Sequence, residues 1–270
     1  MLTPKELSHF QEQGYVIVKQ FLTLQEANRL YEVSKNDQSI SQHSYSVKDA
    51  EGNESKLALW YTPGDNIYGM LSRGKRLVKS VEQLIGSPVA HFHSKVMQKG
   101  PKVGGAWEWH QDYGYWYRSG FMYADKMLSV MFALTRANKE NGCLRVLPCS
   151  HKLGRLEHGK AGEQVGADMQ MVKKYKEKVD EVYCELEVGD ALFFHSNLLH
   201  ASGPNRSELP RWSIISCYNH LENTPDAEPH SSFVPVNMVA DGKILSADIT
   251  SGKKADFSSK KTESPIPKLG

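Results

Sequence analysis

Apolar residues recur along this chain at two different periods, and the change falls near residue 88. Before it the spacing is helical. Thr3 and Glu6 form a capping-box pattern, with Pro4 at the first helical position and Gly14 as a stop. Tyr15-Val16-Ile17-Val18 then reads as a strand. Thr23 and Glu26 repeat the capping pattern ahead of a second amphipathic helix that runs to about Lys35. Residues 36–56 are polar and read as a loop. Leu77, Val78, Val81, Leu84 and Ile85 return to helical spacing and stop at Gly86-Ser87-Pro88.

From Val89 the pattern becomes short apolar runs separated by turns. The runs Ala90–Gln98, Met127–Thr135, Leu144–Leu147, Val182–Leu186, Ala191–His195 and Trp212–Asn219 read as strands. Several short, punctuated strands favour an antiparallel sandwich or barrel. The prediction is a mainly β protein with flanking helices (α+β): helices over 1–88, a β core over 89–220, and one domain spanning 1–245. Residues 151–181 interrupt the strands with glycines and charges. Met169–Val179 is helix-compatible, and the rest reads as a mobile flap, either a solvated excursion or a substrate lid. The polar tail, 246–270, is rich in Ser, Lys and Pro and is expected to be poorly ordered.

Composition narrows the function classes. The chain has 270 residues, so it holds one large domain, or one with a small appendage. A net charge of +2 gives no argument for nucleic acid or an anionic membrane. No apolar run approaches the length of a membrane span. The start Met1-Leu2-Thr3-Pro4-Lys5-Glu6 lacks a secretory pattern. Cys143, Cys149, Cys184 and Cys217 show no Cys-x-x-Cys spacing and read as reduced thiols. A cytoplasmic monomer or homodimer acting on a small molecule is the expectation.

The chemistry concentrates in His110-Gln111-Asp112, read together with His200 and Arg211. Two imidazoles and a carboxylate can occupy one face of an iron(II) ion and leave the remaining positions open for a cosubstrate and dioxygen. The absence of a thiolate favours iron over zinc. His-x-Asp alone is weak, since roughly one chain in two of this length carries such a match by chance. The context adds weight. His200 closes a turn and short apolar strand that begins at Gly189-Asp190, and Arg211 opens another strand-like run. Arg211 reads either as a surface arginine or as a fixed fork for a distal carboxylate. Lys95, Met97 and Lys99 alternate along one strand, so both lysines share a face. That face is either solvated or turned inward to meet a cosubstrate carboxylate. His93 shares it, as a packed core histidine or a donor to a substrate carboxylate or phosphonate. His195 reads as a buttress of its strand and not as a metal ligand. Trp107, Trp109, Tyr113, Tyr115, Trp116 and Tyr117 surround the metal motif, as core packing or as aromatic faces able to hold an ammonium group.

The stretches Trp109–Trp116, Asn141–His151 and Phe194–Arg211 together resemble the phytanoyl-CoA dioxygenase family of iron(II)/2-oxoglutarate oxygenases, in its ectoine-hydroxylase-like branch. The similarity covers roughly residues 1–220. Cys149 departs from it, standing where glycine is usual. The resemblance implies a double-stranded β-helix (jelly roll, cupin-like) core, with His110, Asp112 and His200 as metal ligands. It implies that Arg211 clamps 2-oxoglutarate, that Ser202 and Lys99 contact it, and that Trp116 lines the substrate pocket. From their own placement, Lys95 is the weaker cosubstrate candidate, and Tyr113 and His93 join Trp116 as candidates on the substrate side. The implied reaction consumes O2 and 2-oxoglutarate, releases succinate and carbon dioxide, and hydroxylates an aliphatic carbon; the aromatic faces around the motif point to a small polar or amine-bearing substrate. Halogenases of this superfamily lack the carboxylate, so Asp112 implies hydroxylation, or a related oxidation, in place of halogenation. An acyl-CoA substrate, a zinc hydrolase and a non-catalytic metal-binding sensor are the rival readings. A hydrolase gives Arg211 no obvious task.

Overall fold

Both capping boxes predicted near the N-terminus form. In the computed structural model, which describes residues 1–117, 123–224 and 233–249, Thr3 caps α1 (Pro4–Gln13), and Gly14 closes it in the left-handed conformation. Thr23 caps α2 (Leu24–Asn36) with Glu26 returning the bond. β1 (Tyr15–Val18) lies between them.

The 36–56 segment corrects the loop reading. It folds as α3 (Gln38–His43), β2 (Tyr45–Lys48) and β3 (Glu54–Trp60). A short helix, α4 (Ile67–Arg73), follows, and then α5 (Lys75–Ile85) at the predicted position. The remaining elements, in chain order, are β4 (Val89–Lys99), β5 (Trp107–His110), α6 (Asp112–Trp116), β6 (Met127–Ala133) and β7 (Leu144–Val146). They continue with β8 (His158–Ala161), β9 (Gln164–Ala167), α7 (Met169–Lys176), β10 (Val182–Cys184), β11 (Ala191–His195), β12 (His200–Ser202) and β13 (Arg211–His220).

Two antiparallel sheets carry the fold. The larger runs β1-β11-β6-β13-β4-β3-β2, and the smaller runs β10-β7-β12-β5. They form a double-stranded β-helix, or jelly roll, that stays open at its edges instead of closing into a barrel. The first sixty residues supply both edges of the large sheet, so the N-terminal region is more than a helical layer.

Strand alternation splits the large sheet into two buried faces. Val96, Val130, Phe132, Phe193, Ile214 and Tyr218 pack outward with Leu30, Leu71, Leu77, Val78 and Val81 of the helices. Leu57, Leu59, Met97, Met131, Leu192, Phe194 and Ile215 face inward with Leu144 and Val146 of the small sheet. Burial on both faces makes this sheet a rigid platform, since each strand is held by packing as well as by its ladder.

Residues 151–181 correct the mobile-flap reading. β8 and β9 pair as a hairpin, and α7 follows with Asp168 as its cap. Leu156, Ala167 and Val172 of this segment form a third apolar cluster with Trp109, Leu199 and Ala201. The segment is packed onto the strands that carry the two histidines of the predicted metal motif. Almost all of the tail expectation falls outside the described residues.

Candidate metal centre

His110 ends β5 and His200 begins β12, and the two are direct register partners. Opposed residues on antiparallel strands share a face, so the imidazoles converge, with ring centroids 4.1 Å apart. Asp112 opens the one-turn α6 just beyond His110. The turn swings its carboxylate back, with Oδ1 3.7 Å from His110 Nε2 and 3.8 Å from His200 Nε2. The three donor atoms all lie within 4.8 Å of one another, and all three residues are buried.

Neighbouring groups fix which atoms point inward. His110 Nδ1 lies 2.7 Å from the Glu108 carbonyl, and His200 Nδ1 lies 2.8 Å from the Leu198 carbonyl. A carbonyl only accepts, so each Nδ1–H donates and each Nε2 is left with a lone pair for a metal. Ser129 Oγ donates to Asp112 Oδ2 at 2.5 Å, which turns Oδ1 toward the imidazoles. Burial opposes ionisation of Asp112. The neighbouring His110, His200 and Lys95 outweigh it and hold the carboxyl well below the usual carboxylate range. Burial pulls His200 down to about 3, so its ring is unprotonated at neutral pH. An ionised carboxylate beside two imidazoles that present Nε2 is the donor set a divalent first-row metal needs.

The segment between the ligands is tied down from several sides. Gln111 Nε2 donates to the carbonyls of Gly154 and Asn197, and Gln111 Oε1 accepts from Leu156 N. Its backbone N–H donates to His158 Nε2 at 3.0 Å. Tyr115 pairs with both backbone groups of Val165, and Gln164 bridges Lys48, Ala106 and Glu108. The β8–β9 hairpin therefore braces β5 and α6. Sequence reading missed Ser129, His158 and Gln164, because their contacts to the motif are long-range.

Lys99 and Arg211 face inward, as register partners at the ends of β4 and β13. Lys99 Nζ donates to Ser202 Oγ at 2.8 Å and to the Gly203 carbonyl, joining the two sheets. Arg211 is buried, its Nη1 at 3.5 Å from Ser213 Oγ and its Nε without a partner. Burial pulls Arg211 down to about 10, and burial together with Arg211 pulls Lys99 well below the usual lysine range. Two buried cations lacking a carboxylate among the described residues fit an anionic group from outside the chain.

Lys95 lies on the same face but is half-buried, and it has no hydrogen bond or ion pair among the described residues. His93 is buried, with Nε2 3.3 Å from Cys217 Sγ. Trp116 stands edge-on to His93 and Phe92, at 5.7 and 5.2 Å between centroids. Tyr113 is buried in α6, with its ring 6.0 Å from that of Tyr117. His195 bonds Asp125 and stands apart from the three-residue cluster. The four cysteines are unpaired, and no helix among the described residues is long and apolar enough to cross a membrane.

Similar proteins agree with this geometry. L-proline trans-4-hydroxylase from Streptomyces griseoviridis is 32% identical over 176 residues, which are 60% of this chain and 66% of that protein. Ectoine dioxygenase from Streptomyces avermitilis is 25% identical over 246 residues, covering 86% of this chain and 83% of that one. The structure of EctD from S. alaskensis with 2-oxoglutarate and 5-hydroxyectoine superposes with a TM-score of 0.69 at 18% identity, covering 89% of each chain, and shares the fold. The phytanoyl-CoA dioxygenase (PhyH) family model matches residues 10–213, a span that includes His110, Asp112, His200, Lys99 and Arg211, and the chain belongs to that family.

Proposed function

We propose that this chain is an iron(II)- and 2-oxoglutarate-dependent dioxygenase that hydroxylates an aliphatic carbon of a small polar substrate. The observation that carries the reading is a buried two-histidine, one-carboxylate set within the same jelly roll as an unpaired Lys99–Arg211 pair. When bound, iron(II), 2-oxoglutarate and O2 supply the oxidising chemistry, which yields succinate, carbon dioxide and a hydroxylated substrate. The chain's own residues bind and orient. His110, Asp112 and His200 would hold the metal through two imidazole nitrogens and a carboxylate oxygen. Arg211, Lys99 and Ser202 take the distal carboxylate of 2-oxoglutarate, which answers the charge left unpaired in this wall. Trp116, Tyr113 and His93 line the substrate side and keep water out.

The catalytic unit is one domain over 1–245. The four unpaired thiols fit a cytoplasmic setting. The Lys99–Arg211 pair also separates this reading from a zinc hydrolase, where it has no role.

The test is an anaerobic titration of apoprotein with iron(II) and 2-oxoglutarate, followed by visible absorption. A weak charge-transfer band, absent in His200→Ala and Asp112→Ala, is expected. A wild-type protein without the band, or an Asp112→Ala protein that still forms succinate at the wild-type rate, overturns the reading.

A further inference from the structure

The inner wall of β4 carries two lysines, and the structure separates their surroundings. Lys99 is fully buried, and its ammonium is fixed by Ser202 and Gly203 opposite Arg211. Lys95 lies four residues away, roughly 13 Å along an extended strand, on the same face. Its register partners are Leu59 on β3 and Ile215 on β13, both members of the inner cluster. Its nearest polar neighbour on that face of β4 is His93. From His93 a line of contacts runs to the metal motif: Nε2 to Cys217 Sγ at 3.3 Å, Cys217 Sγ to Ser129 Oγ at 3.2 Å, and Ser129 Oγ to Asp112. Lys95 therefore stands at the metal end of the wall, and Lys99 at the cosubstrate end.

Electrostatic influence divides in the same way. The charge of Lys95 bears on His93, Asp112, His200 and Cys217. Lys99 instead interacts with Arg211, Asp49, Cys143 and Arg145. A half-buried lysine without an ion pair among the described residues, on an apolar wall beside the candidate metal site, invites an anion from outside the chain.

We propose that Lys95 anchors an anionic group of the substrate, a carboxylate or a phosphonate, and takes no part in holding 2-oxoglutarate. The inference rests on the dioxygenase reading above and narrows its substrate class to small molecules that carry such a group. The neighbouring Trp116, Phe92 and His93 rings form the apolar rest of the wall. An ammonium group, where the substrate has one, would meet ring faces and stay away from the lysine.

The experiment uses protein loaded anaerobically with iron(II) and 2-oxoglutarate in phosphate-free buffer. It is titrated calorimetrically with matched pairs: L-proline against L-prolinamide, and methylphosphonate against dimethyl methylphosphonate. At least one charged member is expected to bind, and its neutral partner at least about tenfold more weakly. Which pair responds distinguishes carboxylate from phosphonate. Lys95→Met and Lys95→Gln should each lose at least about tenfold in that affinity, while Lys95→Arg stays within about threefold. The visible band should still form in all three variants, with 2-oxoglutarate affinity within about twofold of wild type.

Wild-type protein that shows the band but binds none of the anions, or does not discriminate within a pair, overturns the anchor alone. So does a Lys95→Met protein whose 2-oxoglutarate affinity falls while anion binding persists. A wild-type protein without the band overturns the dioxygenase reading, and this inference with it.

Discussion

Lys99 and Arg211 stand directly opposite one another on neighbouring strands, both buried, and neither reaches a carboxylate among the described residues. Like charges so placed cost the free protein stability, because burial already disfavours each ion and the partner adds repulsion. In the proposed function the same two residues that cost the apoprotein stability would grip a dicarboxylate, which would offset that cost.

That relationship separates stability from binding. Replacing Lys99 with methionine removes a buried charge at similar volume, so the apoprotein should be unchanged or more stable by about 1 kcal/mol. The affinity for 2-oxoglutarate should fall roughly 30-fold or more. Arg211→Ala should raise the 2-oxoglutarate requirement by a similar factor. Thermal melts with and without 2-oxoglutarate check both halves. A Lys99→Met protein that is less stable and equally tight would show the lysine to be structural.

Ser129 would act on a bound metal through Asp112. Its hydroxyl holds Oδ2, which leaves Oδ1 as the oxygen facing the imidazoles. Ser129→Ala removes only that hydroxyl, so the fold should survive. Loss of such a supporting bond costs about 10–100-fold in metal affinity or activity. Titration with cobalt(II) as a spectroscopic stand-in reads the affinity directly. An unchanged affinity and an unchanged spectrum together would remove Ser129 from the site.

What was legible in the chain follows from how local each signal is. The capping boxes at Thr3 and Thr23 act across three residues, and both helices form where expected. The grouping of His110, Asp112 and His200 was legible because the motif context around His110 and His200 is itself local. β3 was missed because its last four residues are buried and break the alternation that marks a one-faced strand. The short α4 carries one local sign, Asn66, whose side chain accepts from Gly69 N. The bracing of 151–167 has no local signature, since Gln111, His158 and Gln164 meet partners tens of residues away. Glycines and charges there suggested a solvated excursion or a substrate lid, yet the polar atoms are spent on the segment from Glu108 to Asp112.

Gly114 is the close approach that makes this bracing possible. A Cβ at that position would lie 2.3 Å from His158 Nε2. Gly114→Ala should therefore push His158 off Gln111 and destabilise the protein by about 1–3 kcal/mol. Pairing it with His158→Ala removes the obstruction, so the two changes should couple by roughly 1 kcal/mol or more. Urea unfolding of the two single variants and the double variant measures this, and strict additivity would deny the contact.

The bracing is also pH-sensitive. His158 accepts from Gln111 N through Nε2 and donates through Nδ1 to the Leu156 carbonyl, so its working form is neutral. Burial, partly offset by the Leu156 bond, pulls its pKa down to about 4, and burial does the same to His151. An unfolded histidine titrates near 6.5. Between these values the unfolded chain binds protons that the folded chain excludes, so stability is full above about pH 6.5 and falls as pH drops toward 4. His158→Gln keeps a side-chain acceptor but cannot titrate. Its stability should depend less steeply on pH over this window, by on the order of one proton. Chemical unfolding at several pH values, with proton uptake taken from the slope, tests this. A slope identical to wild type would mean that His158 is protonated, or solvated, in the folded protein.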